Sequence, residues 1–150
     1  CLMPTNTFGP NDNYDPLNSR FFPSLIRKIH NNKIKNTKKL IIWGDGSPKR
    51  EVIYVDDIAN ACVYFMRKKI KETIINVGTG KDYSIRDYVK IISSRINPKV
   101  KIDIKYDKTK PNGTPRKVLD VSLARKYGWI SKTSLEDAID RTYLDYLIKN

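Results

Sequence analysis

The stretch IIWGDGSPKREVIYVDD, residues 41–57, decides the fold. Two apolar, β-rich runs, 40–43 and 51–55, flank a Gly-Asp-Gly turn. The first run ends on an aromatic ring, Trp43, and a fixed cation, Arg50, precedes the second. Read from these residues alone, the plain arrangement is a β-hairpin with a core tryptophan and a surface arginine. From Ile58 the period changes. Ile58, Ala61, Cys62, Phe65 and Met66 recur on one helical face, which predicts a helix to about Lys69 capped by Asp56 or Asp57.

Working outward, CLMPTNTFG reads as the end of a buried strand, broken at Pro4 and at Gly9-Pro10. Residues 11–20 are polar turn-formers and read as a loop. Phe22, Leu25, Ile26 and Ile29 fall at helical spacing, with Pro23 tolerated in a first turn. TIINVG is a strand. Ser84 caps a helix whose inner face is Ile85, Tyr88, Val89, Ile92 and Ile96. VKIDIKYD alternates as a strand should, and KTKPNGTPRK, residues 108–117, is a long basic loop. Helices near 122–128 and 134–148 close the chain, the second with Ser134 and Asp137 as a capping box. The order of elements is mixed α/β.

The 150 residues suffice for one domain. No apolar run approaches the ~20 residues of a membrane span, and residues 1–10 do not have the pattern of a signal peptide. Cys1 and Cys62 form no metal-ligand or CxxC spacing, so the expected compartment is a reducing cytoplasm. The chain opens at Cys1 inside an apolar phrase, which we read as the cut end of a longer protein. The formal net charge of +13 has two readings: an anionic partner, or a solvated lysine surface in a chain rich in Lys, Asn and Ile. The densest basic stretch, 27–39, carries no interleaved aromatics, which argues against a nucleic-acid-binding module.

Several motifs fail. Gly78-Thr79-Gly80-Lys81 is not a Walker loop, because Ile75 stands where its first glycine belongs and Asp82 where Ser or Thr belongs. Gly44 and Gly46 open no dinucleotide fingerprint, because Lys49 takes the third glycine's place. His30 is the one histidine, which argues against a histidine metal site or a Ser-His-Asp triad; no metal is expected. Adjacent Asp56 and Asp57 diverge and cannot flank one bond as a glycosidase pair does.

Four phrases in register, MPTNTFGPNDNYDPLNS, WGDGSPKREVIYVDDIA, INVGTGKDYSIRD and KPNGTPRKVLDVS, resemble the GDP-L-fucose synthase family of extended short-chain dehydrogenases. The resemblance covers nearly the whole chain. It implies the end of an NAD(P)-binding Rossmann sheet plus a small mixed α/β substrate-binding domain, the C-terminal part of an epimerase/reductase. The implied cofactor is NADP(H), the substrate a GDP-4-keto-6-deoxymannose, and the full-length protein a cytoplasmic homodimer. The glycine-rich cofactor loop, the catalytic Ser-Tyr-Lys set and the epimerising cysteine lie upstream in that family, so this chain alone is expected to be inactive. Pro4, Thr5, Asn6 and Thr7 match the strand end lining the nicotinamide, with Arg20 assigned to the same side. Trp43 and Arg50 match substrate-contacting residues. An indole supplies apolar area with one donor, and a guanidinium offers a fork suited to phosphate. Both would face one cleft. Lys28 stands where the family has a second arginine, Asn112 where it usually has Asp, and Arg116 is a further phosphate candidate.

One departure bears on chemistry. Arg20, in NSRFFP, holds the place of the family's proton-donating histidine. A proton-transfer residue works best with a pKa near the working pH, and arginine stays protonated. Two expectations follow. Either epimerisation is impaired and the full enzyme is mainly a C4 reductase on a GDP-4-keto-sugar, or Arg20 stabilises an enolate and another group moves the proton.

Overall fold

The computed structural model describes residues 1–149. Among the described residues eight strands and five helices follow in order: β1 (Leu2–Pro4), β2 (Asn6–Phe8), α1 (Phe21–Ile34), β3 (Lys39–Trp43), β4 (Lys49–Tyr54), α2 (Val55–Met66), β5 (Ile75–Val77), β6 (Asp82–Ser84), α3 (Ile85–Ile96), β7 (Asp103–Asp107), β8 (Arg116–Lys117), α4 (Ser122–Lys126) and α5 (Leu135–Lys149). The class is α/β, and most pairings are parallel.

No hairpin forms at 41–57. β3 pairs in parallel with β7, whereas β4 pairs with β2, β6 and β8 in another sheet. The turn at Gly44 and Gly46 links two sheets, and both glycines have positive φ, 69° and 73°. The strand expected across 1–9 is likewise two strands. β1 pairs with β5 and β2 with β4, and the switch falls at Thr5.

β4 explains why the chain has two cores. Glu51, Val52, Ile53 and Tyr54 are all buried. Val52 and Tyr54 join the first core, with Phe8, Phe22, Ile26, Tyr88 and Ile139. Ile53 faces the second, with Ala61, Phe65, Ile75, Val77 and Trp129. A strand buried on both faces reads as a continuous apolar run, and VIY is one.

The helices follow their apolar spacing where a core faces them. α3 buries Tyr88, Val89, Ile92 and Ile96, and the Ser84 hydroxyl accepts the Asp87 N–H at 3.1 Å. Ser134 caps α5 in the same way through Asp137 N–H, 3.1 Å. α2 departs from expectation. It ends at Met66, and Cys62 and Met66 are exposed; Asp57, Ala61 and Phe65 face inward. Neither aspartate caps it. The Asp57 carboxylate instead accepts the backbone N–H groups of Lys132 (3.2 Å) and Thr133 (3.1 Å).

His30 Nδ1 and the Tyr143 hydroxyl share a hydrogen bond of 2.9 Å. Burial, then the like charge of Lys33, hold this imidazole below its ordinary pKa. The unfolded chain therefore takes up a proton more readily than the folded one. Stability is expected to be fully present above about pH 6.5 and to fall as the pH drops toward the lower folded value. Denaturant unfolding at pH 7.5 and pH 5.5 checks this, and His30→Gln should flatten the difference.

Candidate functional site

The basic loop expected over 108–117 ends at Pro115, since Arg116 and Lys117 form β8, and the loop makes one corner with the turn after β3. The Gly44 N–H donates to Asp107 O at 2.9 Å, and the Asp45 N–H to Asn112 Oδ1 at 2.8 Å. The Lys49 N–H donates to Pro115 O at 2.8 Å, and β8 then runs beside β4. Arg50 Nη1 reaches Lys49 O (2.8 Å) and Thr114 O (2.6 Å). The loop is thus a strap held against the turn by side chains from both. A Cβ on Gly44 would overlap Asn112 Oδ1. Gly44→Ala should cost about 1–2 kcal/mol for the left-handed backbone alone. It should also free the strap, which limited proteolysis would show as new cleavage within 108–117.

Trp43 is 66% exposed, so it is not a core residue. Lys110 from the strap lies over its ring, 5.7 Å from the centroid. β3 alternates, with Leu40 and Ile42 inward and Lys39, Ile41 and Trp43 outward. Lys28 Nζ donates to Ile41 O at 3.2 Å, two residues before the indole. Burial first, and the charge of Arg27 second, hold the Lys28 ammonium below its ordinary pKa. Trp43, Arg50 and Asn112 are thus each tied to the strap or the turn beside it, while Lys28 reaches the same strand as Trp43 at Ile41 O. Arg116 is committed elsewhere. Its Nε and Nη2 meet the Asp82 carboxylate at 2.5 and 3.3 Å. That contact lowers the Asp82 pKa and raises that of Arg116.

Beneath this corner lies a residue to which the sequence reading gave no role. Glu51 is 0% exposed. Its Oε1 accepts the Gly80 N–H (2.7 Å) and the Thr79 hydroxyl (3.3 Å), and its Oε2 accepts the Leu119 N–H (2.8 Å). A Cβ on Gly78 would overlap Oε1. The Gly-Thr-Gly loop that failed as a phosphate loop does cradle an anion, and the anion belongs to the chain itself. The signal was available: a lone carboxylate opening an otherwise apolar strand.

The expected cofactor-side residues divide: Pro4 and Thr5 lie at the carboxyl end of β1 beside β5, Asn6 and Thr7 lie within β2, and Arg20 precedes α1. Pro4 is exposed there. Thr5 N–H donates to Val77 O (3.1 Å), and Asn6 Nδ2 and Thr5 Oγ1 donate to Glu51 O at 2.9 and 3.4 Å. The Thr7 hydroxyl turns back to Thr5 O, 3.2 Å. Arg20 is exposed at the N-cap position of α1 and makes no side-chain cap. The next turn packs Phe22 on Phe8, ring centroids 4.1 Å apart, which sets Arg20 near the carboxyl end of β2. Asp12 faces it. Burial raises the Asp12 carboxyl above its usual range, and the Arg20 charge partly offsets the rise. Asp12 and Lys110 were both missed, because each lies in a loop whose path the sequence does not reveal. Among the described residues no cluster of three or more His, Cys, Asp or Glu could hold a metal, and no helix is long and apolar enough to cross a membrane.

The model of the NAD dependent epimerase/dehydratase family matches residues 1–78. GDP-L-fucose synthase 1 of Arabidopsis thaliana is 40% identical over 148 residues, 99% of this chain and 45% of that protein. The crystal structure of a GDP-L-fucose synthetase from Naegleria fowleri superposes with a TM-score of 0.85 at 25% identity, covering 98% of this chain and 45% of that one. GDP-mannoheptose C4 reductase from Campylobacter jejuni with NADP bound gives 0.79 at 26% identity, covering 97% and 52%. The chain spans about half the length of the relatives it matches.

Proposed function

This chain belongs to the NAD dependent epimerase/dehydratase family, and we propose that it is the C-terminal, GDP-sugar-binding part of a GDP-L-fucose synthase-like enzyme. The observation that carries the proposal is the strap held on the turn after β3 by Arg50 and Asn112, beside the exposed Trp43, with Lys28 anchored on the same strand. An exposed indole beside a guanidinium and an ammonium suits a base or sugar ring joined to a diphosphate. Asn112 has its Oδ1 on the Asp45 N–H, and its amide nitrogen is the group left to donate to a hydroxyl. Arg116, paired with Asp82, supports the strap more than the ligand.

NADP(H) fits the carboxyl ends of β1 and β5, where Pro4 offers apolar surface. Thr5 spends its hydroxyl hydrogen on Glu51 O, whereas Asn6 gives Glu51 O one of its two amide hydrogens and keeps the other hydrogen and its Oδ1 to face a ligand. The chain has no glycine fingerprint for the cofactor phosphates, which would be held by the upstream half. When bound, the cofactor supplies a hydride for the sugar C4. This chain's residues orient the nucleotide-sugar and keep its diphosphate charge-paired. We expect the assembled enzyme to act in the cytoplasm as a homodimer, and this chain alone to be inactive.

Arg20 favours a second reading, a C4 reductase with impaired epimerisation. The fold similarity to a GDP-mannoheptose C4 reductase is in keeping with it. The test joins the chain to its upstream half, with NADPH and GDP-4-keto-6-deoxymannose in D₂O. Deuterium at both C3 and C5 of an L-sugar product supports the fucose synthase reading. A C4-reduced product lacking deuterium at either carbon supports the reductase. No reduction at all would overturn both.

A further inference from the structure

A cavity of about 540 Å³ lies between the two cores. It is a cleft open to solvent, with exposed Lys81, Ile130 and Lys132 at its rim, and its volume falls in the roughly 300–1,000 Å³ range of small-molecule sites. It is separate from the strap corner, since neither Trp43, Arg50, Lys28 nor Asn112 lines it. Tyr54 and Tyr88 of the first core and Trp129 of the second supply aromatic walls.

Two buried carboxylates keep it open. Glu51 pins the 78–80 loop on one side, and Asp57 pins the backbone of Lys132 and Thr133 on the other. Without these anchors both loops would be free to collapse onto the apolar walls. Three cations, Lys81, Arg125 and Lys132, border the cavity, and among the described residues none of them is in an ion pair. Arg125 spends one N–H, from Nη2, on Thr79 O at 3.2 Å. The one carboxylate on the wall is Glu136, and the charge of Arg125 also acts on Asp120, whose carboxyl it helps hold below its usual range after the Ser122 hydrogen bonds. The first turn of α5, at Ser134 and Leu135, completes the lining, with backbone N–H groups that have no helical acceptor.

We propose that this cavity binds a small aromatic anion, its ring between the tyrosines and Trp129 and its charged group toward Lys81, Arg125 and Lys132. This site stands independently of the GDP-sugar corner. The probe that tests it is 8-anilinonaphthalene-1-sulfonate, an aromatic sulfonate that fluoresces in dry apolar sites. Trp43→Phe leaves Trp129 as the one tryptophan, so energy transfer to the probe reports from the cavity wall.

The expected result is one saturable site with transfer from Trp129. In the parent chain, with its GDP corner intact, saturating GDP should not displace the probe. Lys81→Glu with Lys132→Glu, both at exposed positions, should weaken binding about tenfold or more at low salt. Ala138→Trp, which fills the cavity from α5, should abolish it; if that variant does not fold, the lysine pair decides. The proposal is overturned by no saturable binding, by affinity indifferent to the charge reversals, or by displacement with GDP, which would place the probe at the strap.

Discussion

Replacing Glu51 with alanine is expected to lower the unfolding free energy by roughly 3–5 kcal/mol, as much as truncating a buried aromatic residue. The carboxylate is fully buried and holds Gly80 N–H, Thr79 OH and Leu119 N–H. Its removal leaves three donors without an acceptor, each worth about 1–3 kcal/mol when buried and unsatisfied. Part of that loss is recovered if water enters the space, so the sum is an upper bound. Glu51→Gln tests the mechanism more sharply. The shape is kept, but one oxygen becomes an NH₂ group that must point at an N–H group or at the Thr79 hydroxyl. Because both carboxylate oxygens accept from backbone, no flip of the amide satisfies both. A loss of about 2 kcal/mol or more is expected for the amide. Denaturant unfolding measures both variants. A change within about 0.5 kcal/mol, the size of a neutral surface substitution, would show that the cradle does not hold the fold.

Arg50→Ala is expected to weaken GDP binding by about 10–150-fold, the equivalent of 1.5–3 kcal/mol for hydrogen bonds to a charged group. The arginine has two tasks. It is the cation at the corner, and it tethers the strap through Thr114 O. Arg50→Lys separates them. Lysine keeps the charge but loses the fork, so part of the affinity should survive at low salt and fade as ionic strength rises. Titration calorimetry with GDP at two salt concentrations gives the answer. If alanine and lysine variants bind as the parent does, Arg50 serves the strap alone.

How far the residues announced these features depends on the kind of pattern. α3 was legible in full, because Ser84 caps it and one face meets the core along its whole length. α2 was legible as a helix but not in its facing. Cys62 and Met66 fit the period as well as Ala61 and Phe65 do, and what lies opposite each residue is not written in the period. The turn between β3 and β4 looked like a hairpin because strand pairing is non-local. Whether two adjacent strands pair depends on β7 and β2, which lie many residues away in the chain.

The site divided along the same line. Trp43 and Arg50 drew notice by their chemistry, and the resemblance gave them a shared purpose. Asn112 and the strap became intelligible once Gly44 was seen to leave room for the amide oxygen. Glu51 left a local signal, a lone carboxylate opening an apolar strand, but its role and that of Asp57 escaped, because their partners are backbone N–H groups up to 76 residues away. The cavity escaped for the same reason. A void is a property of packing between elements, and no local pattern encodes it.

The most direct test of the central claim is an amide NMR spectrum of this chain titrated with GDP. The account predicts saturable shifts at the Trp43 indole N–H, Gly44, Asp45 and Gly113, with the basic helix α1 beyond Lys28 unmoved. Shifts confined to residues 29–39, or a response to any polyanion that disappears with salt and ignores GDP, would contradict it and leave the positive charge as a non-specific surface.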